Sequence, residues 1–237
     1  MLNIKVYASS SDGNMYLLQN EDTNILLECG IKKEKIIKSL VADGLLITDL
    51  NACLITHQHS DHALNVKYIS SYINTYSTYS LAETNKDVKP LKALKPIKIG
   101  SIKILPIPVS HGKVENNAFV FMDQDSCVFF GTDFSLMEFN LKNFKFDKIY
   151  IELNYDETLI EEALKNQNEE RKMKYIRQIS THMSKAGCML HLKKMDLSKC
   201  KEIVLLHASV FLLNKNNILK DFEEEFKNIK ISFGKEK

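Results

Sequence analysis

The chain contains no tryptophan, no pair of cysteines in a C-x-x-C spacing and no apolar run long enough to cross a bilayer. Its five cysteines, at 29, 53, 127, 188 and 200, are odd in number and dispersed, so neither a disulfide framework nor a zinc ribbon is indicated. They read as reduced thiols, most of them in apolar stretches where a small hydrophobe fits. The first residues lack the basic and apolar regions of a secretion signal. A cytoplasmic protein with no membrane partner is the expectation. An excess of positive charge is also missing: 32 Lys and Arg against 30 Asp and Glu leave +2, too little to argue for nucleic acid without a local site. What is present, 44% hydrophobic and 26% charged residues over 237 positions, is ordinary for a globular chain with a sizeable core.

Alternating apolar runs predict strands over 2–8, 15–19 and 24–28, the first two joined by the turn-forming cluster from Ser9 to Asn14. Ile36, Ile37, Leu40 and Val41 recur at helical spacing, predicting a helix over 32–43 that Gly44 can end. A strand over 52–56 and a helix over 63–73 follow, then a Lys-rich stretch over 86–98 that reads as an exposed connection. Further strands are predicted over 101–108, 118–122, 127–130 and 149–153, then a long charged helix over 157–178 and another over 184–194. A strand over 202–206, a helix over 217–227 and a strand over 229–233 complete the chain. Each half runs strands first and helices after. Two sheets packed face to face with helices outside would bury both apolar sets, so the expected fold is α/β, a four-layer αββα sandwich in a single domain over 1–237.

The segment Thr56-His57-Gln58-His59-Ser60-Asp61-His62 directly follows the apolar run Ala52 to Ile55. A strand emptying into a tight loop can aim these side chains at one point, with His57 and His59 closing on one cation and Asp61 and His62 on a second. Further candidates stand at other strand ends: His111, Asp133 after Gly131-Thr132, and His207. Imidazole and carboxylate together suit zinc, manganese or iron.

In this order, H-x-H-x-D-H, a lone His, Asp after Gly-Thr, and a His in Leu-Leu-His-Ala-Ser, the chain resembles the metallo-β-lactamase fold superfamily over nearly its whole length. The resemblance implies that His57, His59 and His111 hold one divalent ion, that Asp61, His62 and His207 hold the other, and that Asp133 bridges them. Cysteine at position 133 would suit β-lactamases and Glu at 59 flavodiiron oxidoreductases, whereas this sequence has Asp133 and His59. Within the superfamily it is most similar to YycJ/WalJ-type DNA exonucleases and more distantly to tRNase Z. Ser9 to Asn14 resembles their S-G-S-S-G-N, Pro108-Val109-Ser110-His111 their P-x-S-H, Ile151 to Asp156 their L-E-S-N-Y-D, and Thr181-His182-Met183-Ser184 their G-H-L-S. Carried over, the catalytic set is Asp61, Glu152 and His182. His182, held by Glu152, would act as general acid while two Zn or Mn ions, with Fe as an alternative, make hydroxide available for attack on a phosphodiester.

The expected function is thus a metal-dependent hydrolase of a nucleic acid, DNA exonuclease-like, with nucleic acid or nucleotide as partner and a homodimer by resemblance alone. Cleavage of a small cyclic nucleotide, hydrolysis of a thioester or lactone at the same site, and a non-catalytic metal-stabilised binding module are the alternatives. Lys165, Arg171, Lys172, Lys174 and Arg177 could contact phosphates, but a solvated charged face is the expectation for them. His191 is expected to be a surface or packing residue.

Overall fold

The structure, a computed structural model, describes residues 1–234. Strands β1 (Asn3–Ser10), β2 (Gly13–Gln19) and β3 (Asn24–Leu27) form an antiparallel meander, to which β4 (Ala52–Leu54), β5 (Thr75–Ser77) and β6 (Val88–Pro90) add in parallel. Helices α1 (Lys33–Ala42), α2 (Ser60–Ala63), α3 (Val66–Ser70) and α4 (Tyr79–Thr84) lie in the crossovers. The second sheet repeats the plan. Strands β7 (Ile97–Ile99), β8 (Ile102–His111), β9 (Val114–Met122) and β10 (Cys127–Gly131) are antiparallel, and β11 (Lys148–Glu152), β12 (Glu202–Leu206) and β13 (Lys230–Phe233) follow in parallel. Helices α5 (Glu157–Asn166), α6 (Glu169–Thr181) and α7 (Lys185–Lys193) separate β11 from β12, and α8 (Lys215–Glu225) separates β12 from β13.

Side-chain alternation along the strands generates the layers. On β2, Tyr16 and Leu18 point inward to Phe119, Phe121 and Phe130 of the second sheet, while Met15 and Leu17 point outward to Ile36 and Leu40 of α1. On β10, Val128 and Phe130 face the inner core, and Phe129 packs outward with Leu192 of α7 and Phe222 of α8. The result is the αββα sandwich expected from the sequence. The Tyr16 ring meets Phe130 edge-on at 4.9 Å across the seam.

Three stretches differ from expectation. The helix predicted over 63–73 is interrupted because Asn65 turns its backbone N–H to Cys29 O and its side chain to Ile31 O, anchoring the chain to the end of the first meander. The helix predicted over 157–178 is two helices, since Asn168 caps the second by accepting from Arg171 N at 3.0 Å. The stretch over 86–98 is not mere connection: Val88 and Ile99 are buried, and their surroundings form the short outer strands β6 and β7. Lysines on the solvent face mask that periodicity.

The two sheets are also tied by a polar contact. Tyr150 Oη on β11 accepts from Ile4 N at 3.3 Å and donates to Ile4 O at 2.9 Å on β1. Tyr150→Phe is expected to cost about 1–3 kcal/mol by removing this partner from two backbone groups, read as a lower urea midpoint at unchanged slope. An unchanged midpoint would show that the tie contributes no stability.

Candidate metal centre

The site forms at the carboxyl ends of the strands, where parallel pairing brings several chain exits to one rim. β4 delivers His57, His59, Asp61 and His62, β8 ends on His111, β10 is followed by Asp133, β11 ends on Glu152 and β12 is followed by His207. Glu28, Asp133 and His207 all carry positive φ, at 62°, 55° and 52°. A left-handed residue at a strand exit turns the chain sharply and swings its side chain over the rim, at a conformational cost that non-glycine residues rarely accept.

All seven candidate ligands are brought together. His57 Nε2 and His111 Nε2 stand 2.9 Å and 3.1 Å from His59 Nδ1. Asp61, His62, Asp133 and His207 form a second cluster whose donor atoms lie within 4.8 Å of one another. In it His62 Nε2 is 3.2 Å and His207 Nε2 3.4 Å from Asp133 Oδ1. Asp133 also groups with Glu152, His182 and His207.

The protonation pattern suits a cation. His111 Nδ1 donates to Thr181 O at 2.9 Å, since a carbonyl can only accept. Burial lowers this imidazole to about 4, so it is neutral and directs a bare Nε2 lone pair at His59. Burial likewise pushes His57 and His59 below the usual histidine range. His207 Nε2 is buried with no hydrogen bond. Asn14 Nδ2 lies within bonding distance of Ser10 O, Asp61 O and His62 Nε2. With two hydrogens it can serve both carbonyls and leave the imidazole nitrogen open. In the His57, His59 and His111 cluster nitrogen lone pairs converge on one point, and imidazole together with the carboxylates beside it is the donor set of a divalent transition metal.

Buried carboxylates surround these rings. For Asp61, burial would raise the carboxyl, but the neighbouring imidazoles of His207 and His62 outweigh it and hold the group far below the carboxylate range. Burial would lower His62, yet Asp133 and Glu28 raise it well above the ordinary value. His182 Nδ1 donates to Glu152 Oε1 at 2.6 Å, and Phe134 N donates to Glu152 Oε2 at 2.6 Å. Burial opposes the charged imidazole, but Glu152 prevails and raises His182 to about 9. The break between α6 and α7 sets this pair: Asn154 N donates to Met183 O and Lys185 N to Tyr155 O, zipping the segment beside the end of β11. His191 is a packing residue, nearly buried against Phe134.

Sequence reasoning did not single out the supporting residues. Glu28, fully buried, accepts from Thr56 N at 3.1 Å and faces His62 Nδ1 at 3.4 Å. The available signal was a carboxylate closing the apolar run Ile25 to Leu27. Asn154 likewise touches His207 Nδ1 at 3.1 Å and donates to His207 O at 2.8 Å. Gly30 is required by close approach, because a Cβ there would overlap the carbonyl of Asp61.

The rings open into a cavity of about 840 Å³ lined by His59, Asp61, His111, Asp133, His182 and His207 among others. A cavity of similar volume at the opposite, amino ends of β11 and β12 contains no histidine among its lining residues. Glu28→Gln is expected to weaken divalent-cation affinity by about 10- to 100-fold, the effect of losing an orienting partner behind a ligand. Chelator competition measures this, and an unchanged affinity would remove Glu28 from the site.

Residues 10–124 match the family described as the Metallo-beta-lactamase superfamily. The chain is 29% identical over 141 residues to exodeoxyribonuclease WalJ of Streptococcus pneumoniae serotype 2, covering 54% of this chain and 52% of that protein. It thus spans about half the length of the curated relatives it matches. In fold it is similar to the protein YhfI from Bacillus subtilis, with a TM-score of 0.75 at 16% identity over 99% of this chain and 97% of the other. The short form of human tRNase Z gives a TM-score of 0.65 at 12% identity over 98% and 96% of the two chains. The four layers, the H-x-H-x-D-H loop at the end of β4 and these matches agree on a metallo-β-lactamase fold, and residues 10–124 carry the match to that superfamily.

Proposed function

We propose that this chain is a divalent-metal-dependent hydrolase that cleaves phosphodiester bonds of a nucleic acid in the manner of a DNA exonuclease, with His182 as general acid. The observation that carries the proposal is the Glu152–His182 pair, closed at 2.6 Å and set in the same cavity as the two ligand clusters. The exodeoxyribonuclease named among the relatives and the tRNase Z of like fold support the same reaction class.

In this proposal His57, His59 and His111 hold one cation, Asp61, His62 and His207 the other, and Asp133 serves both. Bound there, divalent ions acidify a water and offset the charge of the phosphate. The chain's own residues complete the chemistry. Expelling a deoxyribose alkoxide requires a proton, and His182 carries one on the nitrogen turned away from Glu152. Glu152 stabilises the imidazolium and fixes its tautomer, and it cannot swing away because Phe134 N–H holds its second oxygen. The His207 ring stacks on His182 at 5.2 Å with 6° between planes, which fixes the direction of transfer.

A metal-loaded preparation is expected to hydrolyse both bis(p-nitrophenyl) phosphate and labelled DNA. His182→Ala is expected to lower DNA cleavage by about 10²- to 10⁴-fold while leaving nitrophenyl ester hydrolysis nearly unchanged, because nitrophenolate departs without a proton. Equal losses on the two substrates would overturn the role of His182. No metal-dependent hydrolysis of either would overturn the reaction class.

A further inference from the structure

One wall of the cavity combines features that the chemistry described so far does not use. Phe211 is 88% exposed and Val210 69% exposed, in the loop that follows His207, and both line the cavity. A phenyl ring held almost wholly in water forfeits the burial that ordinarily justifies its presence. The α6 helix adds Lys174 and Arg177 to the same lining. Arg171, Lys174 and Arg177 are exposed as expected, but the cations of α6 do not all overlook the same surroundings. Lys172 pairs with Glu169 at 2.8 Å and Arg171 bonds Gln167 at 3.0 Å, whereas Lys174 and Arg177 form no ion pair with a carboxylate among the described residues. Ser10, Ser11, Ser60 and Ser209 contribute small polar groups beside them.

An open aromatic face, two cations without a carboxylate partner among the described residues and serine hydroxyls around one hydrolytic site match a ligand that alternates flat rings with negative charges. A purely apolar ligand would leave the cations unanswered, and a simple phosphate ester would leave Phe211 in water. Stacking of a base on an aromatic ring, with cations tracking the backbone, is how single strands are held without sequence preference. In a paired duplex the base faces are already covered by their neighbours. We infer that this wall seats an unpaired nucleotide, with Phe211 stacking on a base and Arg177 and Lys174 holding the flanking phosphates, so that the substrate is a single-stranded nucleic acid or a frayed strand end. The inference rests on the phosphodiesterase proposal and names the substrate class of that site. Phe211 is a binding residue here, and His182 keeps its role whatever occupies the wall.

The test is fluorescence anisotropy of the metal-loaded full chain with a labelled oligothymidylate carrying phosphorothioate linkages, set beside a blunt duplex of the same length. Single strands are expected to bind more tightly than the duplex. Phe211→Ala is expected to weaken single-strand binding by about 5- to 150-fold, and Phe211→Trp to retain it. Arg177→Gln with Lys174→Gln is expected to reduce the slope of log affinity against log salt by about 0.7 for each phosphate that the protein no longer neutralises. Because Phe211 is exposed, an unchanged melting temperature verifies that its variants fold. Equal binding by wild type and Phe211→Ala, a preference for the blunt duplex, or no binding of the single strand would each overturn the inference. So would a concentration-dependent dimer that Phe211→Ala dissolves without changing oligonucleotide affinity, since the ring would then be a subunit contact. Phe211-dependent binding by a protein that hydrolyses no phosphodiester would sustain this wall and refute the catalytic proposal, whereas hydrolysis without Phe211 dependence would do the reverse.

Discussion

Buried negative charge is the constraint on which the site depends. Glu28 and Glu152 are completely buried and Asp133 is 2% exposed, and a carboxylate removed from water is tolerated only where positive charge and hydrogen bonds answer it. Burial raises Glu28 and Glu152 against the pull of their histidines, while the imidazoles around Asp133 overcome burial and hold it well below its ordinary value. Each carboxylate faces an imidazole: His182 for Glu152, His62 for Glu28, and for Asp133 both His207 and the shared His62. The same groups that would retain a proton would retain a metal cation. The neutral trio His57, His59 and His111 differs, since there the unanswered groups are lone pairs.

The scaffold meets this constraint with strand exits. Each sheet begins as an antiparallel meander and continues in parallel, so the parallel strands of both discharge at one rim. Side chains from distant parts of the sequence then meet without long loops. The left-handed turns at Glu28, Asp133 and His207 sit at three of those exits. Strain there is offset by contacts around it: Thr56 N on Glu28, Asn116 Nδ2 on Asp133 O, and Asn154 Nδ2 on His207 O. Ser9 Oγ accepts from His207 N and from Tyr16 Oη, linking the opening strand to the turn that carries His207.

Much of this was legible in the sequence because each signal was local. Alternation along β2 and β10, helical spacing in α1 and the density of H-x-H-x-D-H are all read within a few residues. The four-layer architecture follows from those patterns. The pairing of Glu152 with His182 was legible only through likeness to a known motif, because it joins positions 30 residues apart. Glu28 and Asn14 escaped notice because one carboxylate or amide beside a strand is common, and only tertiary contact with the histidine loop distinguishes them. Helix boundaries failed where one side chain outweighed periodicity, as at Asn65 and Asn168. The division of the α6 cations was invisible because periodicity assigns a face to a helix but does not say what that face overlooks.

The central claim is that two cations occupy two specific clusters that share Asp133. Anomalous diffraction recorded at the absorption edge of a bound transition metal tests it directly. The account predicts two peaks, one amid the ring nitrogens of His57, His59 and His111, the other amid Asp61, His62 and His207, both in contact with Asp133. A single peak, or density bound elsewhere while these seven side chains stay empty, would contradict it.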